Sequence, residues 1–389
     1  MDIELKYGVN PHQKSARVHF DGENSPLKVL NGVPSYINIL DALASWQLVK
    51  ELKAATGIAS AACFKHVSPA GAAIAKPLDS VFLKSQFVTE TDLSPVATAY
   101  IRARGGDRLC AFGDAAAVSE TVDVSLAKII KSEVSDLLIA PAYDPEALEI
   151  LKAKKKGNYL ILQIDPDYIP GDIETKDVYG FTLQQQRNKA VIDANFFNNI
   201  VTANKKVTTE AMQSLIVATI ALKYTQSNSV IVAYDGQLIG VGAGQQSRVH
   251  CLRLACGKAE KWFLQQHPRV LGLEFEDNLK KPEKANVVDQ FILWDELSDF
   301  EKKLLASQLK SIPKPISSEE KSAFIKQFDG ISLSSDAFFP FRDNIDRASR
   351  TNVQYIAHAG GSLRDDICIE AANEYNMVMY QTGIRLFTH

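Results

Sequence analysis

The chain has 389 residues, of which 46% are hydrophobic, so it can bury a core large enough for two or three packed units. Its 43 lysines and arginines nearly balance 46 aspartates and glutamates, and the net charge of -3 argues against a general nucleic-acid-binding protein. Any recognition of phosphate must therefore be local.

The N-terminal sequence has no basic stretch followed by an apolar run, and no segment approaches the roughly 20 apolar residues of a membrane span. We therefore expect a cytoplasmic enzyme that contacts no membrane. The five cysteines form no CxxC pair and no cluster with histidine, which predicts neither a disulfide framework nor a zinc site. We interpret all five as small buried hydrophobes. They are Cys63, Cys110, Cys251, Cys256 and Cys368.

Apolar runs alternate with helical patterns along the chain, which is typical of α/β layers. The predicted elements include a strand at 136–141, helices at 146–151 and 209–224, strands at 229–234 and 237–242, a helix at 247–266, a helix at 343–349, a strand at 353–357, a helix at 366–375 and a strand at 377–380. Asp235-Gly236 has the chemistry of a hairpin turn between two of these strands. The Lys- and Glu-rich stretch from about 274 to 326 carries only weaker strand signals and is interpreted as an insertion.

Two segments, 109–119 and 239–247, resemble each other weakly, and both are interpreted as a strand, a glycine turn and a helix. Junctions of this kind are frequent in α/β proteins, so the repeat alone does not separate a duplication from coincidence.

Lys65 and His66 follow an apolar run at 58–63 and precede Pro69 and Gly71, so they are predicted at the end of a strand. Strand ends are where α/β enzymes place reacting groups. An imidazole can accept a proton near neutral pH, and an adjacent ammonium can neutralise a developing oxyanion. The alternative is a surface Lys–His pair in a loop.

Four further segments are rich in polar or aromatic groups. Residues 5–13 offer a cation, a phenol and amides for a phosphate, with a frayed terminus as the alternative. Residues 225–229 are either the turn chemistry of a strand entry or, through Asn228, a partner for a heteroaromatic amide. The glycine-rich 240–248 leads into a helix and can cradle an anion, although it lacks the dinucleotide-binding spacing. Residues 335–344 interleave three phenylalanines with charged groups, as a slot for a flat heterocycle would.

Together these segments resemble the formyltransferase half of the bifunctional AICAR transformylase/IMP cyclohydrolase family, and the likeness runs from Leu5 to His389. Its most specific motifs are Tyr7-Gly8-Val9-Asn10-Pro11-His12-Gln13, Lys65-His66-Val67-Ser68-Pro69-Ala70-Gly71, Tyr224-Thr225-Gln226-Ser227-Asn228-Ser229, Gly242-Ala243-Gly244-Gln245-Gln246-Ser247-Arg248 and Ser335-Asp336-Ala337-Phe338-Phe339-Pro340-Phe341-Arg342-Asp343-Asn344. The resemblance implies transfer of a formyl group from 10-formyltetrahydrofolate to the 5-amine of AICAR. Since the cyclohydrolase half normally precedes this region, we expect no ring closure.

The resemblance also implies an α/β fold of two cytidine deaminase-like α/β/α subdomains and a homodimer with sites at the interface. The subdomains are expected at 1–194 and at 195–268 plus 329–389, with an inserted segment at 269–328. The zinc signature of the deaminases, H-x-E with P-C-x-x-C, is absent from the sequence, which fits formyl transfer without zinc.

By similarity, His66 is the general base for the attacking amine, Lys65 stabilises the oxyanion or assists protonation of the folate, and Asn228 orients the amine and carboxamide. AICAR would also contact Lys6, Tyr7, Asn38, Gly113, Asp136, Arg385, Phe387 and His389. The folate would contact Phe112, Arg248, Val249, Asn286, Phe338, Pro340, Asp343, Asn344 and Ser362. Potassium would correspond to Thr225, Ser227, Ser229 and Asp336. Lys6 departs from the usual arginine and offers a point charge in place of a bidentate fork.

Two other functions remain open at this point. A deaminase-like nucleotide hydrolase would share the implied fold but would need the missing zinc ligands. A non-catalytic nucleotide-binding regulator would not need Lys65 and His66, which are both present.

Overall fold

The structure is a computed structural model and describes residues 2–389. In the first half the elements are β1 (Asp2–Glu4), β2 (Arg17–His19), β3 (Leu27–Asn31), α1 (Tyr36–Thr56), β4 (Ser60–Phe64), β5 (Pro69–Ile74), α2 (Ser80–Ser85), α3 (Pro95–Gly105), β6 (Asp114–Val118), α4 (Val124–Ser132), β7 (Ser135–Ala140), α5 (Pro145–Lys152), β8 (Leu160–Ile164), β9 (Ile173–Val178) and β10 (Phe181–Gln186). None of the helices within residues 2–389 is long and apolar enough to cross a membrane.

The second half continues with α6 (Thr209–Leu222), β11 (Val230–Tyr234), β12 (Gln237–Gly242), α7 (Arg248–Leu264), α8 (Pro268–Leu271), α9 (Lys281–Ile292), α10 (Asp299–Ala306), α11 (Ser318–Ile325), β13 (Ser332–Ser335), α12 (Asp343–Arg350), β14 (Tyr355–His358), α13 (Asp365–Glu374) and β15 (Val378–Gln381). Short 3-10 helices lie at Lys154–Gly157, Ala194–Phe196 and Trp294–Glu296.

One mixed sheet of 11 strands runs through the molecule in the order β15-β14-β13-β11-β12-β5-β4-β6-β7-β8-β3. Successive residues of a strand face opposite sides of this sheet, and each side has its own apolar core. On β4, Ala61 and Cys63 pack in one core, while Ala62 and Phe64 pack in the other. Helices α1 and α6 cover the second core, and α3, α4 and α7 cover the first. The protein is therefore an α/β fold with three layers, as the alternating pattern predicts.

The sheet contains the same five-strand pattern twice. In the first copy, hairpin β4–β5 pairs through β4 with antiparallel β6, which is followed by parallel β7 and β8. In the second copy, hairpin β11–β12 pairs through β11 with antiparallel β13, followed by parallel β14 and β15. The copies join through β5 and β12, antiparallel at Ala73 and Gln237. A structural repeat is therefore present.

Glycines allow the helices to approach both hairpins closely. A Cβ on Gly71 of β5 would lie 2.0 Å from the carbonyl oxygen of Ala103 on α3. A Cβ on Gly240 of β12 would lie 2.1 Å from the carbonyl oxygen of Ala255 on α7. Real Cβ atoms do not approach backbone this closely, so only glycine fits at these two positions.

One sequence expectation is wrong, and one stretch has more regular structure than its weak signals indicated. The segment 109–119 is not strand, turn and helix: it is a turn that leads into β6, whereas 239–247 is the end of β12 and the loop before α7. The five-strand pattern does repeat, but 109–119 and 239–247 do not occupy equivalent positions in its two copies. The stretch 274–326 is helical, with α9, α10 and α11. Its Lys- and Glu-rich composition suits exposed helix faces. Four of the cysteines are buried and Cys110 is half-buried.

Candidate active site

Most of the predicted site residues lie along one edge of the large sheet, in two groups. Because β5 and β12 are antiparallel, the turn after β4 and the starts of β6 and β7 share an edge with the start of β11 and the end of β13. We call Lys65, His66, Phe112, Gly113 and Asp136 the first half-site. We call Asn228, Arg248 and Asp336 the second half-site. Strands β4 and β11 are three positions apart, or roughly 14 Å at about 4.8 Å per strand.

The first half-site is centred on the two-residue turn between β4 and β5. His66 and Val67 both have positive φ, at 57° and 55°, and the N–H of Lys65 donates to Ser68 O at 3.0 Å. His66 is exposed at this tip. The ammonium of Lys65 donates to Phe112 O at 2.9 Å, which ties the turn to the loop before β6. The predicted base and cation are therefore presented together at the sheet edge.

A buried arginine holds the neighbouring loops. Arg104, 2% exposed at the end of α3, donates to Ala111 O at 2.8 Å, Asp114 at 3.0 Å and Val134 O at 3.0 Å. These contacts brace the loop that carries Phe112 and Gly113 and the residue before β7, the strand that carries Asp136. The position for a Cβ on Gly113, whose φ is +76°, lies 3.6 Å from Asp136 Oδ2.

The N-terminal segment packs beside the first half-site. Lys6 N donates to Pro34 O at 2.9 Å, and Tyr36 N donates to Tyr7 O at 3.2 Å, so both predicted phosphate residues adjoin the first turn of α1. Asn38 forms a capping box there with Ser35, whose N–H it accepts at 2.9 Å. The amide oxygen of Asn38 is therefore committed to the helix, and its NH₂ group remains for a ligand.

The second half-site is an ion pair with many backbone contacts. Arg248 at the start of α7 pairs with Asp336, which is fully buried after β13. Arg248 also donates to Ser229 O at 3.0 Å and to Asn228 Oδ1 at 2.9 Å. The peptide bond between Ser227 and Asn228 is cis. Since Arg248 occupies the carbonyl of Asn228, the NH₂ group of Asn228 is the part available to a substrate.

The C-terminal residues are hydrogen-bonded to the second half-site. Leu386 N donates to Asp336 O at 2.9 Å, and Ser227 N donates to Thr388 O at 3.0 Å. The guanidinium of Arg385 lies 4.5 Å from the ring centroid of Phe387, and the rings of Phe387 and His389 are 5.7 Å apart. The predicted AICAR residues of the tail thus lie with the second half-site.

Buried polar atoms without partners lie at the ends of β14 and β15 and at the starts of α12 and α13. Within residues 2–389, these include His358 Nε2, Asp365 Oδ1, Asn344 Oδ1 and Gln381 Nε2. His358 is 1% exposed, and its Nδ1 accepts from Gly360 N at 3.1 Å, which leaves the ring proton on Nε2. Burial lowers the pKa of His358 to about 4, so the imidazole is neutral at pH 7.

These unsatisfied atoms adjoin several residues of the predicted folate set. Phe338 is 42% exposed beside buried Phe339, whose ring centroid lies 5.2 Å from that of His358. Asp343 is exposed and accepts from Asn344 at 2.9 Å. Pro340, Ser362 and Val249 are each half-buried.

Asn286 lies apart from the other predicted folate residues. It is exposed on α9, one turn before Asp289, which pairs with Lys261 at 2.8 Å. Lys261 is 13 residues after Arg248 on α7, or roughly 20 Å at about 1.5 Å per residue. Within one chain, the structure does not bring Asn286 to the second half-site.

The predicted potassium residues already have other partners, apart from one. Thr225 donates to Ala221 O at 2.7 Å, and Asp336 accepts from Ser227 at 2.7 Å and from Ser229 N at 2.9 Å in addition to Arg248. Only Ser229 Oγ among the four is buried without a partner. Thr225 and Ser227 act as donors in these bonds, so their oxygens keep lone pairs that a cation could use. Potassium at these four residues stays a prediction. Among residues 2–389, no three His, Cys, Asp or Glu side chains converge on a metal position.

Sequence reasoning missed three residues that shape this site. Asp41 on α1 accepts from Val67 N at 2.6 Å, Arg104 braces two loops, and His358 is a buried donor. Each is a single polar residue within a helix or strand, and nothing in the sequence distinguishes it from a surface group. Only the tertiary fold reveals that they are buried.

Comparison with known proteins identifies the family of the chain. Residues 1–258 match the model of the AICARFT/IMPCHase bienzyme family. The chain is 31% identical over 390 residues to the bifunctional purine biosynthesis protein PurH of Roseobacter denitrificans, covering 99% of this chain and 59% of that protein. It is 29% identical over 387 residues to PurH of Elusimicrobium minutum, covering 99% of this chain and 58% of the relative. The chain thus spans less than two thirds of these relatives, and it belongs to the AICARFT/IMPCHase bienzyme family.

Proposed function

We propose that this chain is an AICAR formyltransferase of purine (IMP) biosynthesis, which converts AICAR and 10-formyltetrahydrofolate to FAICAR and tetrahydrofolate. The observation that carries the proposal is the Lys65–His66 pair, held at an exposed sheet edge in a chain of this family. The proposal covers formyl transfer alone, and no cyclohydrolase step is assigned to the chain.

The reaction needs a base, a stabilising cation and a proton for the leaving group. His66 takes a proton from the 5-amine as its nitrogen attacks the formyl carbon, which forms the new C–N bond. Lys65 then stabilises the oxygen of the tetrahedral intermediate. When the bond to N10 breaks, a proton returns to N10, so one proton leaves the amine and one joins the folate. The NH₂ group of Asn228 is free to orient the carboxamide.

Binding of the nucleotide is assigned to residues near both half-sites. Lys6 and Tyr7, beside the start of α1, would hold the phosphate, and Arg385 would contribute a second cation from the tail. Lys6 offers a point charge, so we expect a weaker grip on phosphate than an arginine fork provides. Asn38, Gly113, Asp136, Phe387 and His389 complete the proposed AICAR set.

The folate is assigned to the edge formed by β13, β14 and β15. A pterin ring presents donors and acceptors in one plane, and the unpaired atoms of Asn344 and His358 are complementary in kind. Phe338 supplies apolar surface there, and Asp343 is exposed to accept from an amino group. Phe112 belongs to the first half-site and would contact this folate only from a second subunit. Potassium at Thr225, Ser227, Ser229 and Asp336 stays part of the proposal, and no step is assigned to it.

The two copies of the five-strand pattern support two cytidine deaminase-like subdomains, and we keep the proposed bounds of 1–194 and 195–268 plus 329–389. A homodimer is also proposed. The strands that lead to the two half-sites, β4 and β11, lie roughly 14 Å apart at about 4.8 Å per strand. A second subunit that faces this sheet edge would supply each half-site with its counterpart.

An exposed hairpin supports the same dimer. Strands β9 and β10 form a separate two-stranded sheet. Val178, Phe181 and Leu183 share one face of it and are 46%, 69% and 58% exposed. A lone hairpin is marginally stable in water, so its apolar face favours a protein partner.

The test is to mix purified protein with AICAR and 10-formyltetrahydrofolate and to measure tetrahydrofolate and FAICAR. We expect His66→Ala to reduce kcat by about 10²–10⁴-fold, the usual contribution of general base catalysis. The Kd for AICAR should stay within a few-fold of the wild-type value, because the base acts in the transition state. Absence of product from the wild-type protein, with or without potassium, would refute the proposal.

A further inference from the structure

We infer that Asp41 is a positioning residue for His66: its buried carboxylate holds the β4–β5 turn in the conformation that presents the imidazole. The inference rests on the proposed role of His66 as the base. Asp41 lies on α1, beneath the turn, and reaches the sheet edge through the backbone of the turn.

The turn that Asp41 contacts has an unfavourable sequence for its shape. Two consecutive residues with positive φ, as at His66 and Val67, are typical of type I′ hairpin turns, which favour Asn-Gly or Asp-Gly. Val67 is β-branched, and positive φ is a true outlier for such residues. The turn therefore needs support from elsewhere in the fold.

Asp41 supplies that support through backbone N–H groups. The carboxylate is 5% exposed and accepts from Val67 N at 2.6 Å. The backbone N–H and the imidazole of His66 also stabilise the ionised form of Asp41. Burial raises the pKa of Asp41, and the contacts with Val67 and His66 oppose that rise by favouring the ionised form. Successive N–H groups in this backbone conformation form a concavity for an anion, which Asp41 fills from within the chain.

The second copy of the five-strand pattern contains a natural comparison. Its hairpin turn is Asp235-Gly236, also with two positive φ values, 50° and 73°. Gly236 N donates to Ser214 Oγ at 3.0 Å. Ser214 is the sixth residue of α6, as Asp41 is the sixth residue of α1.

Both copies thus place one side chain of the preceding helix under the second turn residue. Where the turn is Asp-Gly, whose chemistry suits the shape, a neutral serine is present. Where the turn is His-Val, a carboxylate is present. The charged carboxylate is the stronger acceptor, and it lies under the turn that carries the proposed base. This difference between the two copies favours a positioning role for Asp41 over support common to every hairpin.

The experiment compares Asp41→Ser, Val67→Gly and the double variant, with Ser214→Ala as the matched control in the other copy. Glycine adopts positive φ without cost, so a turn with Val67→Gly no longer depends on Asp41. We expect Asp41→Ser to lower kcat at least tenfold while the KM for AICAR changes less than threefold. The double variant should recover to within about threefold of Val67→Gly alone, and Ser214→Ala should retain wild-type turnover.

Three results would overturn the inference: normal kcat in Asp41→Ser, an equal loss in the Val67→Gly background, or an equal loss in Ser214→Ala. If Asp41→Ser does not fold, Asp41→Asn replaces it, since the amide keeps the shape and one acceptor. Amide hydrogen exchange at Val67 separates this inference from the proposed function. Exchange should accelerate at least tenfold in the Asp41 variant even if the wild type transfers no formyl group, and unchanged exchange would contradict the positioning role.

Discussion

Replacement of His358 by asparagine should flatten the acid side of the stability profile. The amide oxygen of asparagine lies close to the position of Nδ1, so it can still accept from Gly360 N, but it does not titrate. In the wild type, burial lowers the pKa of His358 from 6.5 to about 4. Between these two pKa values the imidazole binds a proton in the unfolded chain but not in the folded chain. The free energy of unfolding therefore falls as the pH drops from 7 towards 4.

The magnitude follows from that shift. With folded and unfolded pKa values of about 4 and 6.5, proton linkage gives a loss of about 2 kcal/mol between pH 7 and pH 5. The loss reaches about 3 kcal/mol at pH 4, which is most of the full shift at about 1.4 kcal/mol per pKa unit.

Urea titrations at pH 7 and pH 5 measure this effect in both proteins. Every other titrating group is common to the two, so the difference between their pH dependences isolates His358. We expect the free energy of unfolding to fall by about 2 kcal/mol less in His358→Asn than in the wild type. Equal pH dependence in the two proteins would refute the conclusion that the imidazole is buried and neutral.

Two further changes test the packing and the proposed assembly. Gly71→Ala should destabilise the protein by at least about 1–3 kcal/mol, because the new Cβ would lie 2.0 Å from Ala103 O, whereas Gly171→Ala, with no atom within 4 Å, should be nearly neutral in the same thermal melts. Phe181→Asp should reduce the molar mass in light scattering from dimer to monomer, while Thr182→Asp on the opposite face of the hairpin should leave it unchanged. A dimeric Phe181→Asp protein would exclude the hairpin as a dimer contact.

Local patterns predicted most elements of the second half well. The helix expected at 209–224 is Thr209–Leu222, and the strand expected at 237–242 is Gln237–Gly242. These segments have strong periodicity and clear turn chemistry at Asp235-Gly236. No element was predicted in the polar stretch 274–326, because weak apolar signals do not distinguish an exposed helix from a strand.

The candidate site shows the same division. Lys65 and His66 stood out as a pair after an apolar strand, since residues adjacent in sequence stay adjacent in space. Asp41 did not stand out, because its partner Val67 lies 26 residues away and the hydrogen bond exists only once α1 packs under the hairpin. Arg248 and Asp336 are 88 residues apart, and only the pairing of β11 with β13 brings them together.

The sequence by itself therefore determined the layer architecture, most element bounds, the family resemblance and the residue types available for formyl transfer. Tertiary structure alone decided the repeat of five strands, the separation of the two half-sites and the burial of His358. The physical reason is that burial and strand order depend on contacts between residues far apart in the chain, which no local pattern encodes.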